Sequence, residues 1–175
     1  LIKLRPRHFP KDTPLHGDML RLPTEWPGGV DHILLEMLFP RGYPMDPPFV
    51  RVVYPRFAWH TGHVNWGGSV CLETLVNTGT DSGYRSSLTV ETLLIMVIFN
   101  MTSDTAGTVV KNGRLDFTRE REFDRLDYSI EDGIENFRRI MGDHGWDRQQ
   151  EAHAASTRGE ARPASWGDLK ADIAS

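Results

Sequence analysis

Cysteine is almost absent from this chain: one residue, Cys71, in 175. No intramolecular disulfide can form, so the fold must rest on an apolar core, and a chain of this length buries roughly two-thirds of its unfolded surface without such help. Long hydrophobic runs are missing too. The longest, Leu93–Phe99, falls well short of the ~18 residues that suggest a membrane span. Nor is there an excess of basic charge: 24 acidic residues face 20 basic ones, for a formal net charge of −4. That balance gives no reason to expect nucleic acid or an anionic membrane as a partner. Leu1 is not an initiator residue and Leu1–Pro6 does not read as a signal peptide, so the natural start is expected upstream. A free thiol suits a reducing, intracellular compartment, cytoplasmic or nuclear.

What the chain does have is one concentrated stretch, Thr61-Gly62-His63-Val64-Asn65-Trp66-Gly67-Gly68-Ser69-Val70-Cys71-Leu72. Two adjacent glycines ahead of the cysteine permit a turn that residues with a Cβ resist, so the thiol can sit on irregular backbone rather than inside a strand. A lone cysteine is commonly a small buried hydrophobe. Here it lies in the middle of a long irregular region, Pro55 to Ser87, and loops of that length in a compact domain are usually functional.

Around that loop the periodicities are ordinary. Residues 1–14 carry Pro6, Pro10 and Pro14 and read as an edge strand at most, followed by a loop. Gly17–Leu22 is a short strand candidate, Trp26-Pro27-Gly28-Gly29 a turn, and His32–Phe39 a central antiparallel strand covered on one side by helix. Phe39–Pro48, with four prolines and a glycine, reads as a rigid extended connector into a strand at Phe49–Tyr54. Thr89–Met101 is the clearest helix: Thr89 caps it, Glu91 lies in its first turn, and Val90, Leu93, Leu94, Val97, Ile98 and Met101 recur at helical spacing. Lys111-Asn112-Gly113-Arg114 reads as a hairpin turn or a helix connector. A short charged helix over Thr118–Arg125 and a longer one from about Leu126 to Met141 follow, with Gly142 and Gly145 as stop signals. In the tail, Trp166, Leu169 and Ile173 allow a docked helix capped by Ser165, or else a solvent-exposed segment.

Several chemistries can be set aside. His60, His63 and Cys71 are potential metal ligands, but no fourth suggests itself. Gly67-Gly68-Ser69 lacks the lysine and helix of a phosphate-binding loop. Cysteine-hydrolase chemistry needs a base, and His63, the nearest histidine, has no evident orienting partner.

The order of motifs resembles that of the ubiquitin-conjugating enzymes, the E2 family, and specifically their atypical Q branch. Phe39–Pro48 leading into Phe49-Val50-Arg51-Val52 is similar to the family's Phe-Pro…Tyr-Pro…Pro-Pro element. Gly68-Ser69-Val70-Cys71-Leu72-Glu73 resembles the Gly-Ser-Ile-Cys-Leu-Asp segment that carries its active-site cysteine. Tyr84-Arg85-Ser86-Ser87-Leu88-Thr89 stands where the family has Trp-Ser-Pro-Ala-Leu-Thr. The Q-branch likeness adds Pro47–Val53, Thr61–Val64, Lys111–Phe117 and a last helix closing on Gly145-Trp146. The resemblance implies an α+β, UBC-like fold: a four-stranded antiparallel meander backed by the Thr89–Met101 helix, a long active-site loop and further C-terminal helices. It also implies one catalytic domain over residues 1–146 without the family's N-terminal helix, and a tail over 147–175.

By that resemblance Cys71 accepts ubiquitin or a ubiquitin-like modifier from an activating enzyme, E1, as a thioester and passes it to an acceptor amine of a protein substrate, with an E3 ligase as a further partner. No cofactor or metal is implied. Thr61-Gly62-His63 replaces the family's His-Pro-Asn, so His63 takes the place of an asparagine that either donates to the oxyanion or holds the loop. Asp81, Ser82 and Tyr84 are candidates for the acceptor gate. Asn65, Gly67, Gly68 and Ser69 support the loop, and Met45 is a candidate partner contact. The competing reading is a catalytically inactive E2-like module that binds the modifier or acts as a scaffold. Retention of Cys71 in its expected frame speaks against that reading, and loss of His-Pro-Asn speaks for it.

Overall fold

The computed structural model describes residues 1–104, 110–118 and 127–156. Strands β1 (Ile2–Leu4), β2 (Ile33–Leu38) and β3 (Phe49–Tyr54) form an antiparallel sheet in the order β1-β2-β3. Ile2 stands opposite Leu35, and Leu35 opposite Val52. Along β2, Ile33, Leu35 and Met37 are buried while Leu34, Glu36 and Leu38 are half-buried, the alternation of a strand with one face in the main core. The expected edge strand, central strand and Phe49–Tyr54 strand are all present.

Among the described residues the sheet has three strands, not four. Gly68–Val70 takes the fourth place only briefly: the Val52 N–H donates to the Gly68 carbonyl (2.8 Å) and the Val70 N–H to the Val50 carbonyl (2.9 Å). The ladder ends there because Gly68 has φ +89° and the chain then turns back toward Cys71.

A second correction concerns Gly17–Leu22, which is helical. Helix α1 spans Pro14–Glu25, between β1 and β2. Thr13 caps it, its hydroxyl accepting from the His16 N–H at 3.3 Å, and Pro14 stands in the first turn, where the missing amide hydrogen costs nothing. Leu15, Met19 and Leu22, all fully buried, recur at helical spacing and outweigh Gly17 and Pro23. The Phe39–Pro48 connector also differs from expectation. It is folded into turns rather than extended, with the Tyr43 N–H bonded to Pro40 and the Met45 N–H to Gly42.

Helix α2 (Val90–Thr102) is capped by Thr89. That cap contributes about 1 kcal/mol. Leu93, Val97 and Met101 are fully buried at roughly 1.5–3 kcal/mol each, so packing, not capping, fixes the helix against the sheet. Helix α3 spans Ile130–His144, capped by Ser129 and closed by Gly145 at φ +71°; it starts four residues later than Leu126, and Leu126 itself is outside the described residues. Its Ile134, Phe137 and Met141 pack with Phe49 and Val76 in a second apolar cluster. Strand β3 thus sends Val50 and Val52 into the main core and Phe49 toward α3, where the Phe49 and Phe137 rings meet edge to face at 5.6 Å.

Helix α4 (Trp146–Ser156) follows at once, so the first part of the tail is helical. Most of the charged helix expected over Thr118–Arg125, and all of the segment holding Ser165, Trp166, Leu169 and Ile173, lie outside the described residues. Residues 55–87 are irregular as expected, with a single short helical turn at Glu73–Leu75. Lys111–Arg114 lies in the connection between α2 and α3, the second of the two expected alternatives, and is not a hairpin turn. It is a strap laid along the loop ahead of Cys71, with the Lys111 N–H on the His60 carbonyl (2.8 Å) and the Gly62 N–H on the Lys111 carbonyl (2.9 Å). No helix among the described residues is long and apolar enough to cross a membrane.

Candidate active site

The segment from His63 to Cys71 doubles back on itself. The Cys71 N–H donates to the His63 carbonyl at 2.8 Å, the Asn65 N–H to the Ser69 carbonyl at 3.0 Å, and the Gly68 N–H to the Asn65 carbonyl at 2.9 Å. Positions eight apart in sequence therefore become cross-strand neighbours. The turn is braced by the Asn65 side chain, whose Oδ1 accepts from the Gly67 N–H (3.0 Å) and the Ser69 N–H (3.1 Å) while its amide meets the Ser69 hydroxyl. Ser69 is fully buried.

The two glycines answer to different constraints. A Cβ on Gly67 would lie 2.1 Å from the Asp132 carbonyl oxygen, so the turn is pressed against the first turn of α3. Gly68 needs its positive φ and also leaves room for the Tyr128 ring. His60 and His63 likewise adopt left-handed backbone, φ 56° and 54°, a conformation that costs a residue with a Cβ about 1–2 kcal/mol.

Cys71 is partly buried and lines a groove of about 600 Å³. Trp59, His63 and Trp66 come to it from the loop, and Arg139, Ile140, Asp143 and His144 from α3, with Trp146 beyond them. Trp59 and Trp66 pack edge to face at 5.1 Å, and the His144 ring stacks on Trp146 at 4.4 Å. Sequence reasoning misses the α3 residues. Nothing local marks them, because they reach the groove only through the packing of Phe137 and Ile134 on β3.

Burial pushes the Cys71 thiol up to about 12. Burial also holds the His63 imidazole below its usual 6.5; a hydrogen bond between the ring and the Cys71 backbone opposes that shift, and the neighbouring His144 adds to it. A neutral imidazole has one N–H and one acceptor nitrogen. Spent on the Cys71 backbone, the N–H holds the loop, and the second nitrogen is the one that takes up a proton. The surroundings of the sulfur thus disfavour a resting thiolate.

The other candidate residues are grouped elsewhere. Asp81 and Tyr84 line a second groove, of about 330 Å³, together with Met45 and with His153 of α4. The Tyr84 hydroxyl donates to the Pro44 carbonyl at 2.8 Å, and burial raises its pKa to about 12. Asp81 is fully exposed and paired with Arg85 at 2.7 Å; Ser82 is exposed and lines neither groove. Met45 is exposed on the connector. Between the grooves stands Glu73, which faces Cys71's groove and accepts from the Thr78 and Thr80 hydroxyls at 3.0 and 2.5 Å. Among the described residues no group of three or more His, Cys, Asp or Glu side chains could hold a metal ion.

No family model matches the chain. Individual relatives do. The chain is 33% identical over 139 residues to the Q-like ubiquitin-conjugating enzyme CG4502 of Drosophila melanogaster, covering 77% of this chain and 38% of that protein. It is 29% identical over 137 residues to ubiquitin-conjugating enzyme E2 25 of Caenorhabditis elegans, covering 78% of this chain and 31% of that protein. To ubiquitin-conjugating enzyme E2 Q1 of Homo sapiens it is 37% identical over 87 residues, 50% of this chain and 19% of that protein. The chain therefore spans well under half the length of these relatives.

Proposed function

The chain belongs to the ubiquitin-conjugating enzyme (E2) family, with Q-branch members among its relatives, and on that premise we propose that Cys71 carries ubiquitin or a ubiquitin-like modifier as a thioester. The observation that carries this reading is the placement of the chain's one cysteine on turn backbone, hydrogen-bonded across to His63, in an aromatic-walled groove.

In the first step the Cys71 sulfur, having lost its proton, attacks the thioester carbonyl of the modifier on E1, and the E1 sulfur leaves. Exchange of one sulfur for another asks little of the nucleophile. What it does ask here is a thiolate, and burial, which raises the thiol to about 12, keeps the thiolate fraction small near neutral pH. In the second step an acceptor amine, most simply that of a lysine, attacks the Cys71 thioester. The C–S bond breaks, Cys71 leaves as thiolate and the amine gives up a proton. His63, neutral near pH 7, contributes by holding the loop and by offering its second ring nitrogen to a proton; donation to the oxyanion would call for its protonated form. E1, the modifier, an E3 ligase that contacts Met45 and a protein substrate complete the set of partners.

A second reading, a module that binds the modifier without a thioester, draws on the same burial of the thiol. A short charging reaction with E1, ATP and a panel of modifiers, run on a non-reducing gel beside Cys71→Ala, separates the two. A thiol-sensitive adduct absent from the variant is expected. No adduct, while a control E2 charges normally, would favour the binding module.

A further inference from the structure

We propose that Asp18, on the helix inserted between β1 and β2, is a positioning residue for the Cys71 loop; its effect on transfer rests on the reading above, but its effect on the loop does not. Asp18 is 3% exposed. Its Oδ2 accepts from Arg114 Nε at 2.7 Å and from the Leu115 N–H at 2.9 Å, and its Oδ1 accepts from Arg114 Nη2 at 3.1 Å and Arg21 Nη1 at 3.3 Å. A buried carboxylate is costly unless donors converge on it. Helix α1 already has Leu15, Met19 and Leu22 to hold it in the core, so the carboxylate adds little to its packing. It adds a fixed address for the strap.

The strap in turn fixes the loop. The Ala58 N–H donates to the Arg114 carbonyl at 2.8 Å, the Arg114 N–H to the Thr61 hydroxyl at 3.2 Å, and the Asp116 N–H to the Arg56 carbonyl at 2.9 Å. With the two bonds between Lys111 and His60–Gly62, residues 56–62 are paired to 111–116 along nearly their whole length. That limb has no sheet ladder of its own, and His60, Gly62 and His63 all have positive φ. Such backbone persists only where its surroundings over-determine it. His63 follows the clamped limb directly and pairs with Cys71. Asp18 therefore acts on the sulfur through three consecutive layers: strap, loop limb and His63.

The test compares Asp18→Leu, which keeps the branched shape at somewhat larger volume and removes every acceptor, with Asp18→Asn, whose amide oxygen still accepts from the Leu115 N–H and Arg114 Nε. Leu22→Ala, on the same helix but with an apolar side chain that bonds nothing in the strap, is the control for loss of stability, and all variants are compared at equal global stability, adjusted with urea. Amide hydrogen exchange at Ala58 and Gly62, and alkylation of Cys71 by iodoacetamide, should both accelerate roughly ten-fold in Asp18→Leu relative to Leu22→Ala. Asp18→Asn should return them to within about three-fold of the unmodified chain. Identical rates in Asp18→Leu and Leu22→Ala would overturn the proposal. If Asp18→Leu does not fold, Arg114→Gln replaces it, with the same amides expected to accelerate and no change overturning the idea. Should the unmodified chain form no thioester, the conjugating role fails while exchange and alkylation still decide the role of Asp18. Where it does form one, Asp18→Leu is expected to lower kcat for transfer with little change in KM.

Discussion

The ring of Tyr128 occupies the space that a side chain on Gly68 would need: a Cβ there would lie 2.5 Å from the ring's Cγ. The ring cannot step aside. The Tyr128 hydroxyl accepts from the Phe57 N–H, its own N–H donates to the Val53 carbonyl, and its carbonyl accepts from Arg51 Nη1, each at 2.8 Å. Gly68→Ala therefore combines a clash with rigid surroundings and a left-handed φ, and is expected to cost on the order of 2–4 kcal/mol. Gly17→Ala is the contrast. Nothing lies within 4 Å of that Cβ position, which falls inside α1, and a gain of about 0.5–1 kcal/mol is expected. Urea unfolding of the two variants checks both signs. Equal and small effects would mean that the Tyr128 anchor is looser than its hydrogen bonds indicate.

His63 shares the left-handed backbone of its neighbours, with φ 54°, and asparagine is among the residues that tolerate it best. His63→Asn, which installs the residue that the family resemblance puts at this place, is expected to keep the loop and, on the proposed function, discharge as well. His63→Ala should impair discharge to the acceptor more than charging, and equal loss of both steps in a single-turnover assay would reduce the residue to loop support. The acid side gives an independent readout. Because burial holds the folded imidazole below 6.5, the unfolded chain takes up its proton first. The stability associated with His63 is thus complete above pH 6.5 and is lost as pH falls toward the folded value. Unfolding at about pH 5 and about pH 7 should show a smaller acid loss in His63→Asn than in the parent.

Features carried by local chemistry are legible in the sequence. The Thr89 cap, the Gly145 stop and the Gly-Gly turn before Cys71 each use a residue type with one evident backbone consequence. Helix α1 carries the same kind of signal and yet reads as a strand. Thr13-Pro14 is a cap followed by a first-turn proline, and Leu15, Met19 and Leu22 have helical spacing, but Gly17 and the prolines at 6, 10, 14 and 23 point to loop and edge. Pairings that join distant segments are invisible. The strap against the loop, the α3 face in the Cys71 groove and the brief fourth ladder at Gly68–Val70 depend on contacts between residues far apart in the chain or on a turn that ends a strand early. Periodicity within a single element does not encode them.

The buried thiol makes alkaline stability a report on Cys71. In the folded chain its proton is held to about pH 12, whereas in the unfolded chain it leaves near pH 8.5, roughly the value of a free cysteine. A group whose folded value is raised in this way contributes stability that is complete below the unfolded value and is lost as pH rises toward the folded one. Relative to Cys71→Ser, the parent should lose stability between about pH 8.5 and 12, and its alkylation rate should keep climbing over the same range. A rate that levels off near about pH 8.5 would mean that the sulfur is far more open to water than the groove implies.

Arg51 makes the sharpest test of how the sheet supports the loop. Its side chain is 8% exposed, with Nε on Glu36 Oε2 at 2.6 Å and Nη1 on the Tyr128 carbonyl at 2.8 Å. Glu36→Ala leaves that buried charge with the carbonyl and no carboxylate, which should cost about 2–4 kcal/mol. Asp81→Ala, which breaks the exposed pair with Arg85, should leave stability unchanged. Replacing both partners, Glu36→Leu with Arg51→Met, removes the stranded charge, and a buried pair exchanged for apolar side chains is often neutral. Here it also takes the Arg51 donor away from the Tyr128 carbonyl, a loss of about 1–3 kcal/mol. The double variant is therefore expected to fall between the parent and Glu36→Ala, and to show faster Cys71 alkylation than its stability alone would give, because Tyr128 packs against Gly68. A double variant less stable than Glu36→Ala would identify the bond from Arg51 to Tyr128, rather than the ion pair, as the main tie between β3 and the active-site turn.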